Sequence, residues 1–393
     1  MKIQFQLVGE ILKLKTAALF SIIIFSALNA FSLEIKVRLF SNKSLKTVSL
    51  KASGGNFKIG KASPREIRLT AEDGEIRVRH DSVSKKLKKA EIRSQCAFSL
   101  KAGGRERIYY GKLLVENEGG RLKIVNEISL ETYLLSVVAA ESRDLANYQA
   151  YKAQAVVART YTLANINRHK PRGYNLCDTT HCQLYNGFSD IKKEIKKAVK
   201  ETEGEILVYR GKPAWTFYHS ICGGVTEDVS NLWQYEKKPY LKSVTDGENG
   251  KAYCSGAYGF KWRTKIGLKT FEKFLRRKII SPKEIFKEAK IVSLSPSGRV
   301  MEMELVTDGK GKKISGVDFY HITGRDLGWN AIRSTKFRIY LEKKYIVFEG
   351  YGYGHGVGLC QHGSDGMAKL GYDYRAILNH YYKNVKMIKL KQL

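Results

Sequence analysis

From Leu33 to about Asn126 apolar residues recur at every second position, in "LEIKVRLF", "KTVSL", "REIRLTA", "GEIRVRH", "RIYYGKLLVE" and "RLKIVNE". Gly, Ser and Asn turns separate these runs, and a period of two is that of half-buried strands. The period then changes. In "SLETYLLSVVAAE" the residues Tyr133, Leu134, Val137, Val138 and Glu141 share one helical stripe. From about Asn147 to Asn167 a second stripe carries Ala150, Ala153, Val157, Tyr161 and Ala164, and it stops before Pro171. Its alanines let a neighbouring element approach closely. After Gly204 strand patterns return in "EILVYRGKPAWTFYHS", "AKIVSLS", "VMEMELVT" and "KFRIYLEKKYIVFEGYG", with a helical "LKTFEKFLRRK" among them and one or two helices in "GSDGMAKLGYDYRAILNHYY". The pattern predicts an α+β fold of mostly antiparallel strands around a central pair of helices. It divides the chain into a leader over 1–32, a β-rich part over 33–126 and an α+β part over 127–393.

The leader runs from the mildly basic "MKIQFQLVGEILKLK" into "TAALFSIIIFSALNAFS", ending in the small-residue pattern Ala30-Phe31-Ser32. This reads as an export signal cleaved after Ser32. The alternative is an uncleaved membrane anchor, since Thr16 to Leu33 falls only slightly short of the roughly 20 residues a membrane helix needs. Both place the protein outside the cytoplasm, in the periplasm or cell envelope. Charge narrows its partners further. With 69 Lys+Arg against 38 Asp+Glu the chain carries a formal +31, which favours a polyanion unless the charge is merely spread over solvated faces. Export disfavours nucleic acid and leaves anionic lipid or an acidic cell-wall polymer. The clusters "SKKLKKAEIR" and "KKEIKKAVKE" have apolar residues at helical spacing and read as surface helices or turns.

Four constellations could carry chemistry. Glu141 lies one turn beyond Val137, on the buried face and at the C-terminus of its helix. Burial and the negative end of the helix dipole both disfavour a carboxylate there, so its pKa should rise, as a general acid requires. A capping or salt-bridging role, with Arg143 or Arg159, is the alternative. The second constellation is "GYGYGHGVGLCQHGSDGMAKLG", with glycines at 350, 352, 354, 356 and 358. As an extended segment it would leave one face bare for a flat ligand or another strand, and it holds His355, Gln361 and His362. It lacks the register of a phosphate loop. The third is "YHSICGGVTED", where His219, Ser220 and Cys222 precede a turn at Gly223 and Gly224. It does not have the frame of a serine-nucleophile elbow, and Cys222 as a thiol nucleophile is a weak alternative. The fourth sets His169 near "CDTTHC", so that Cys177, His181 and Cys182 complete a donor set suited to tetrahedral zinc; a Cys177–Cys182 disulfide or free thiols compete with that reading.

Taken in order, "LETYLLSVVAAE", "YKAQAVVARTY", "CQLYNG", "YHSICGGVTED", "KPYLKSV", "NAIRSTKF" and "GYGHGVGLCQHGSDGMAKLGYDYRAILNHYY" resemble the stage II sporulation protein D (SpoIID/LytB) family. The resemblance runs from about Ile35 to Met387. It implies a lytic transglycosylase acting on peptidoglycan glycan strands, with Glu141 as the acid, or an enhancer of a cell-wall amidase. It also implies a structural zinc on His169, Cys177, His181 and Cys182, as some members have. Two stretches depart from the family pattern: "SRDLANYQAYKAQA" follows Glu141 where Met-Pro and Trp-Pro-x-Glu-Ala-Leu are usual, and Leu359-Cys360-Gln361-His362-Gly363-Ser364 replaces Met-Ser-Gln-x-Gly-Ala.

Glycoside hydrolysis ordinarily takes two carboxylates, and the sequence offers one convincing candidate. A transglycosylase manages with one, because the C6 hydroxyl of the N-acetylmuramyl residue replaces water and leaves a 1,6-anhydro end. His219, Ser220, Gly223, Gly224, His355 and Gln361 are the candidates for holding the sugars. Lys152, Gln154 and Arg159, on the adjacent helix, would bind substrate or orient Glu141.

Overall fold

The computed structural model describes residues 33–233 and 238–390. The leader, with its export and anchor readings, lies outside them. No helix among the described residues is long and apolar enough to cross a membrane.

The alternating runs form the strands they predict. The chain opens with β1 (Glu34–Leu39), β2 (Thr47–Ala52), β3 (Phe57–Lys58), β4 (Glu66–Glu72) and β5 (Glu75–His80). There follow β6 (Val83–Leu87), β7 (Lys89–Ala102), β8 (Arg105–Glu118) and β9 (Arg121–Ser129). With β10 (Leu176–Cys177) they make one sheet in the order β10-β1-β9-β8-β7-β2-β4-β5-β6, and β3 pairs with β7 off this path. Every pairing in it is antiparallel except β1 with β10. "SKKLKKAEIR" falls in β6 and β7 and is neither helix nor turn. Ala90 and Ile92 are buried while Lys89 and Glu91 are exposed, so pairing with β8 overrides the helical spacing of the apolar residues. "KKEIKKAVKE" is helical, burying Ile195, Ala198 and Val199.

Two helices follow the sheet. Ser129 caps α1 (Leu130–Glu141), its hydroxyl accepting from Thr132 N, and Asn147 caps α2 (Tyr148–Ala164), accepting from Gln149 N. Leu134, Val137 and Val138 are sealed, and α2 buries a continuous run from Ala150 to Thr162 apart from Lys152. That degree of burial places α2 at the centre of the molecule, between the core of the sheet and a second core built from the C-terminal half. Here β11 (Glu205–Tyr209) pairs with Lys386–Lys389, and Tyr218–His219 pairs in parallel with Leu359–Cys360. Helices α3 (Gln361–Lys369) and α4 (Tyr374–Tyr381) close this part.

A third core, around Phe271, Phe319 and Phe348, belongs to residues 261–351. It contains two three-stranded sheets and two helices, Leu268–Lys278 and Gly316–Leu327. The whole is mostly antiparallel with interspersed helices, the α+β architecture expected from the periodicity.

The Gly-rich segment is not extended. Gly352, Gly354, Gly356 and Gly358 all have φ between 73° and 101°, a left-handed region that side chains resist. Their bare faces admit the protein itself: a Cβ on Gly352 would meet Ile221 O at 2.5 Å, one on Gly356 the Arg299 guanidinium, and one on Gly358 Phe217 O. The expected open face for a flat ligand is therefore filled by chain.

Candidate active site

Glu141 ends α1 at the base of a cleft of about 270 Å³. The loop between the two helices, Arg143 to Leu145, forms one wall; Leu184 and Asn186 form another; Ser220, Gln361 and His362 form the third. The end of the loop is fixed by Asp365 of α3, whose carboxylate accepts from Ala146 N at 3.0 Å and Asn147 N at 2.8 Å.

Burial pushes the Glu141 carboxyl up to about 7, against two smaller opposing effects. One is Leu184 N–H, which donates to Oε1 at 2.7 Å; the other is the Tyr218 hydroxyl. Among the described residues no cation acts on it, so the ion-pair alternative fails for both candidates. Arg143 lines the cleft without pairing to Glu141. Arg159 is sealed and gives Nε and Nη2, one edge of its guanidinium, to the two oxygens of Glu131 at 2.7 Å each, with further bonds to Glu205 O and Val199 O.

The donors to Glu141 are themselves fixed. Gln183, fully buried, donates to Tyr218 Oη at 3.3 Å and accepts from Thr162 Oγ1 at 2.8 Å and Tyr133 Oη at 3.2 Å. Burial holds the Tyr218 phenol far above its ordinary value, so it stays a donor. His355 Nδ1 accepts from Val357 N at 3.0 Å, which leaves Nε2 protonated to donate to Tyr218 O at 2.9 Å. Burial pushes His355 down to about 4, so it is neutral.

The expected sugar-binding residues divide. Ser220 and Gln361 line the cleft. Gln361 Nε2 donates to Glu141 O at 2.9 Å and to Gln154 Oε1 at 3.3 Å, which places Gln154 behind it as a support. The others face elsewhere. Lys152 pairs with Glu201 at 2.5 Å over the ring of Tyr148, and Arg159 locks the helices to β11. His219 is buried with Nδ1 on Val357 O, its ring 5.4 Å from that of His355. Gly223 and Gly224 turn left-handed beside Cys222, away from the cleft walls. Cys222 is itself sealed, as no nucleophile awaiting substrate would be. The sequence reading missed Gln183, Leu184, Asn186, Tyr218 and Asp144 as parts of the site. "CQLYNG" was the available signal for the first three, and Asp144 is an exposed carboxylate on the cleft wall.

His169, Cys177, His181 and Cys182 do converge, their donor atoms lying within 4.8 Å of one another. His169 Nε2 is 3.3 Å from Cys182 Sγ, and His181 Nδ1 is 3.5 Å from Cys177 Sγ and 3.6 Å from Cys182 Sγ. Tetrahedral zinc, with bonds of about 2.0–2.3 Å, sets such donors roughly 3.4–3.8 Å apart, so the residues fit the ion. All six cysteines are unbonded. Cys182 directly precedes Gln183 and Leu184, so the cluster anchors the segment that reaches Glu141.

Comparison with known proteins shows the family. The chain is 30% identical over 277 residues to stage II sporulation protein D of Bacillus amyloliquefaciens, covering 66% of this chain and 74% of that one. The chain belongs to the stage II sporulation protein D family. The family described as Stage II sporulation protein matches residues 118–209, which include both central helices, Glu141 and the Cys/His cluster. An uncharacterised protein of Brachyspira hyodysenteriae is 31% identical over 285 residues, 71% of this chain and 72% of its own. The amidase enhancer of Bacillus subtilis is 28% identical over 272 residues, 60% of this chain but only 37% of its own length. A domain of unknown function matches residues 251–358, the region of the third core. Outside the matched 118–209, this family member draws Ser220, Gln361 and His362 to the cleft from its C-terminal half.

Proposed function

We propose that the protein is an exported peptidoglycan lytic transglycosylase with Glu141 as its single acid and base. The observation that carries this reading is a carboxyl lining a cleft, pushed up to about 7 by burial, with no cation acting on it among the described residues. Protonated Glu141 gives its proton to the oxygen bridging N-acetylmuramic acid and N-acetylglucosamine as that bond breaks. The resulting carboxylate is held by Leu184 N–H and Tyr218 Oη, then takes the proton of the muramyl C6 hydroxyl as that oxygen closes on C1. Water is not consumed, and a 1,6-anhydro end forms. Ser220, Asn186 and Gln361 supply neutral polar contacts to the sugars. The Cys/His cluster would hold zinc in a closed structural site, where the ion cross-links the segment carrying Leu184.

Glycan products of the purified protein and of Glu141→Gln test the assignment. The variant should lose anhydro product by about 10²-fold or more while remaining folded; equal yields would remove Glu141 from the chemistry. Asp144→Asn separates two outcomes. An anhydro product undiminished in this variant supports the one-carboxylate route, whereas loss of a reducing-end product would show that Asp144 activates water.

The name of the Bacillus subtilis relative supports a second reading, in which the chain binds wall polymer through its +31 charge and stimulates an amidase. Undiminished stimulation of a wall amidase by Glu141→Gln would favour it.

A further inference from the structure

A second cluster of ligand-type side chains lies apart from the Cys/His site. Cys222, Asp246, Cys254 and Cys360 bring one donor atom each to within 4.8 Å of one another, and all four residues are sealed from solvent. They come from three distant stretches. Cys222 stands in the turn after Tyr218–His219, and Cys360 is the N-cap of α3. A two-residue hairpin supplies the other pair. Gly247–Glu248 pairs with Lys251–Ala252 across Asn249 and Gly250, both at positive φ, so Asp246 and Cys254 emerge together from its open end.

The geometry is that of a small cation's cage. Cys222 Sγ lies 3.5 Å from Cys254 Sγ, within the about 3.4–3.8 Å at which four-coordinate zinc places its donors; Asp246 Oδ2, at 3.0 Å from Cys222 Sγ, sits closer, at the distance of a thiol donating to a carboxylate. Backbone amides already point at the sulfurs: Cys222 N and Gly363 N each reach Cys360 Sγ at 3.2 Å, and Gly224 N reaches Cys222 Sγ at 3.3 Å. Such donors stabilise buried thiolates. Asp246 is oriented from behind, since Tyr381 donates its hydroxyl to Oδ1 and leaves Oδ2 toward the sulfurs. Three thiolates and a carboxylate around a divalent cation would leave two negative charges. Two cations lie against the same turn: Arg299, fully buried, donates to Cys222 O at 2.8 Å, and Lys336 donates to Gly223 O at 3.0 Å. Arg299 Nε and Nη1 have no hydrogen-bond partner among the described residues.

We infer that Cys222, Asp246, Cys254 and Cys360 form a second, structural metal site of this chain, of Cys₃Asp type and selective for zinc. Thiolate donors favour a borderline-soft ion over calcium or magnesium, and the closed sphere leaves no open position for substrate. The site ties the Ser220 turn to α3, whose next residues, Gln361 and His362, line the cleft.

Metal analysis of the full chain tests this independently of any glycan cleavage. Cys182→Ser disables the Cys/His site, so zinc retained by that variant reports the second one. It should hold about one equivalent, lost in Cys182→Ser/Cys254→Ser and in Cys182→Ser/Asp246→Ala. Cobalt loaded into Cys182→Ser should give the intense sulfur-to-metal bands and tetrahedral absorption of a thiolate site. If Cys182→Ser fails to fold, the wild-type chain should carry about two equivalents and Asp246→Ala about one. A wild-type chain whose metal content does not respond to Asp246→Ala, or peptide mapping that finds Cys222 and Cys254 joined as a disulfide, would overturn the assignment.

Discussion

Glu141 titrates near 7 in the folded chain against 4.5 for an ordinary glutamate, so folding favours its protonated form. The stability this contributes is complete below about pH 4.5 and is lost as pH rises through 7. By about pH 8 the ionised group costs roughly 3 kcal/mol. Urea unfolding of wild type and Glu141→Gln at about pH 5 and pH 8 should therefore show the variant gaining up to that amount at the higher pH. The same proton governs rate. Glycan cleavage should fall as pH rises past about 7, with a single ionisation, because the acid form disappears. Tyr218 is the second group to read at this scale. Tyr218→Phe removes one donor to the carboxylate and leaves desolvation opposed by the Leu184 amide alone, so the upper pH limb should move to still higher pH, measurable in a pH–rate profile.

Among the elements, α2 carries the architecture. Arg159 fastens it to α1 through Glu131 and to β11 through Glu205 O. Arg159→Met leaves Glu131 and the carbonyls without their partner, and should cost about 3 kcal/mol in denaturant unfolding. Activity per folded molecule should be retained, in contrast to a substrate-binding residue. The zinc proposed for the Cys/His cluster would bear on another element, the Gln183–Leu184 segment. Chelation should lower cleavage about tenfold by loosening the Leu184 amide, with the residual rate still dependent on Glu141.

How much of this was visible beforehand depended on whether local spacing or distant packing made the feature. The position of Glu141 at the end of a buried stripe was legible, because one helix determines it. So were the helix Leu268–Lys278 and the strand runs of the sheet. The helix Gly316–Leu327 was not, since its buried face is Gly316, Phe319, Thr323 and Gly324, with Phe319 its one large apolar residue. The glycine alternation misled for the opposite reason. Strict period two signals an extended strand, but every second residue, each glycine from 352 to 358, adopts positive φ and lets the Ile221 and Phe217 carbonyls approach. His355 and Arg159 showed their chemistry but not their direction, which only the packed neighbours decide.

At the scale of the whole molecule, charge is the property that reaches furthest. A formal +31 would attract an anionic wall polymer, and exposed charges are screened beyond about 8 Å at physiological salt. Binding to wall material that retains its anionic polymers should weaken several-fold between about 50 and 200 mM salt, in a sedimentation assay. Material stripped of those polymers should show little such dependence.

The excursion over 261–351 begins and ends on adjacent strands, with Lys261 opposite Tyr351, a geometry that would let it be gained or shed as a cassette. Its polar keys forbid a clean exchange. Ser297 gives its hydroxyl to buried Glu227 at 2.7 Å, and Arg299 plugs the turn at Cys222. Removing the cassette would take the Ser295 and Ser297 hydroxyls from Glu227 Oε2, while Oε1 would keep Asp228 N–H and the Asn231 amide. A deletion made in the laboratory should therefore gain stability in denaturant unfolding from Glu227→Gln, whose neutral amide needs fewer donors than a carboxylate.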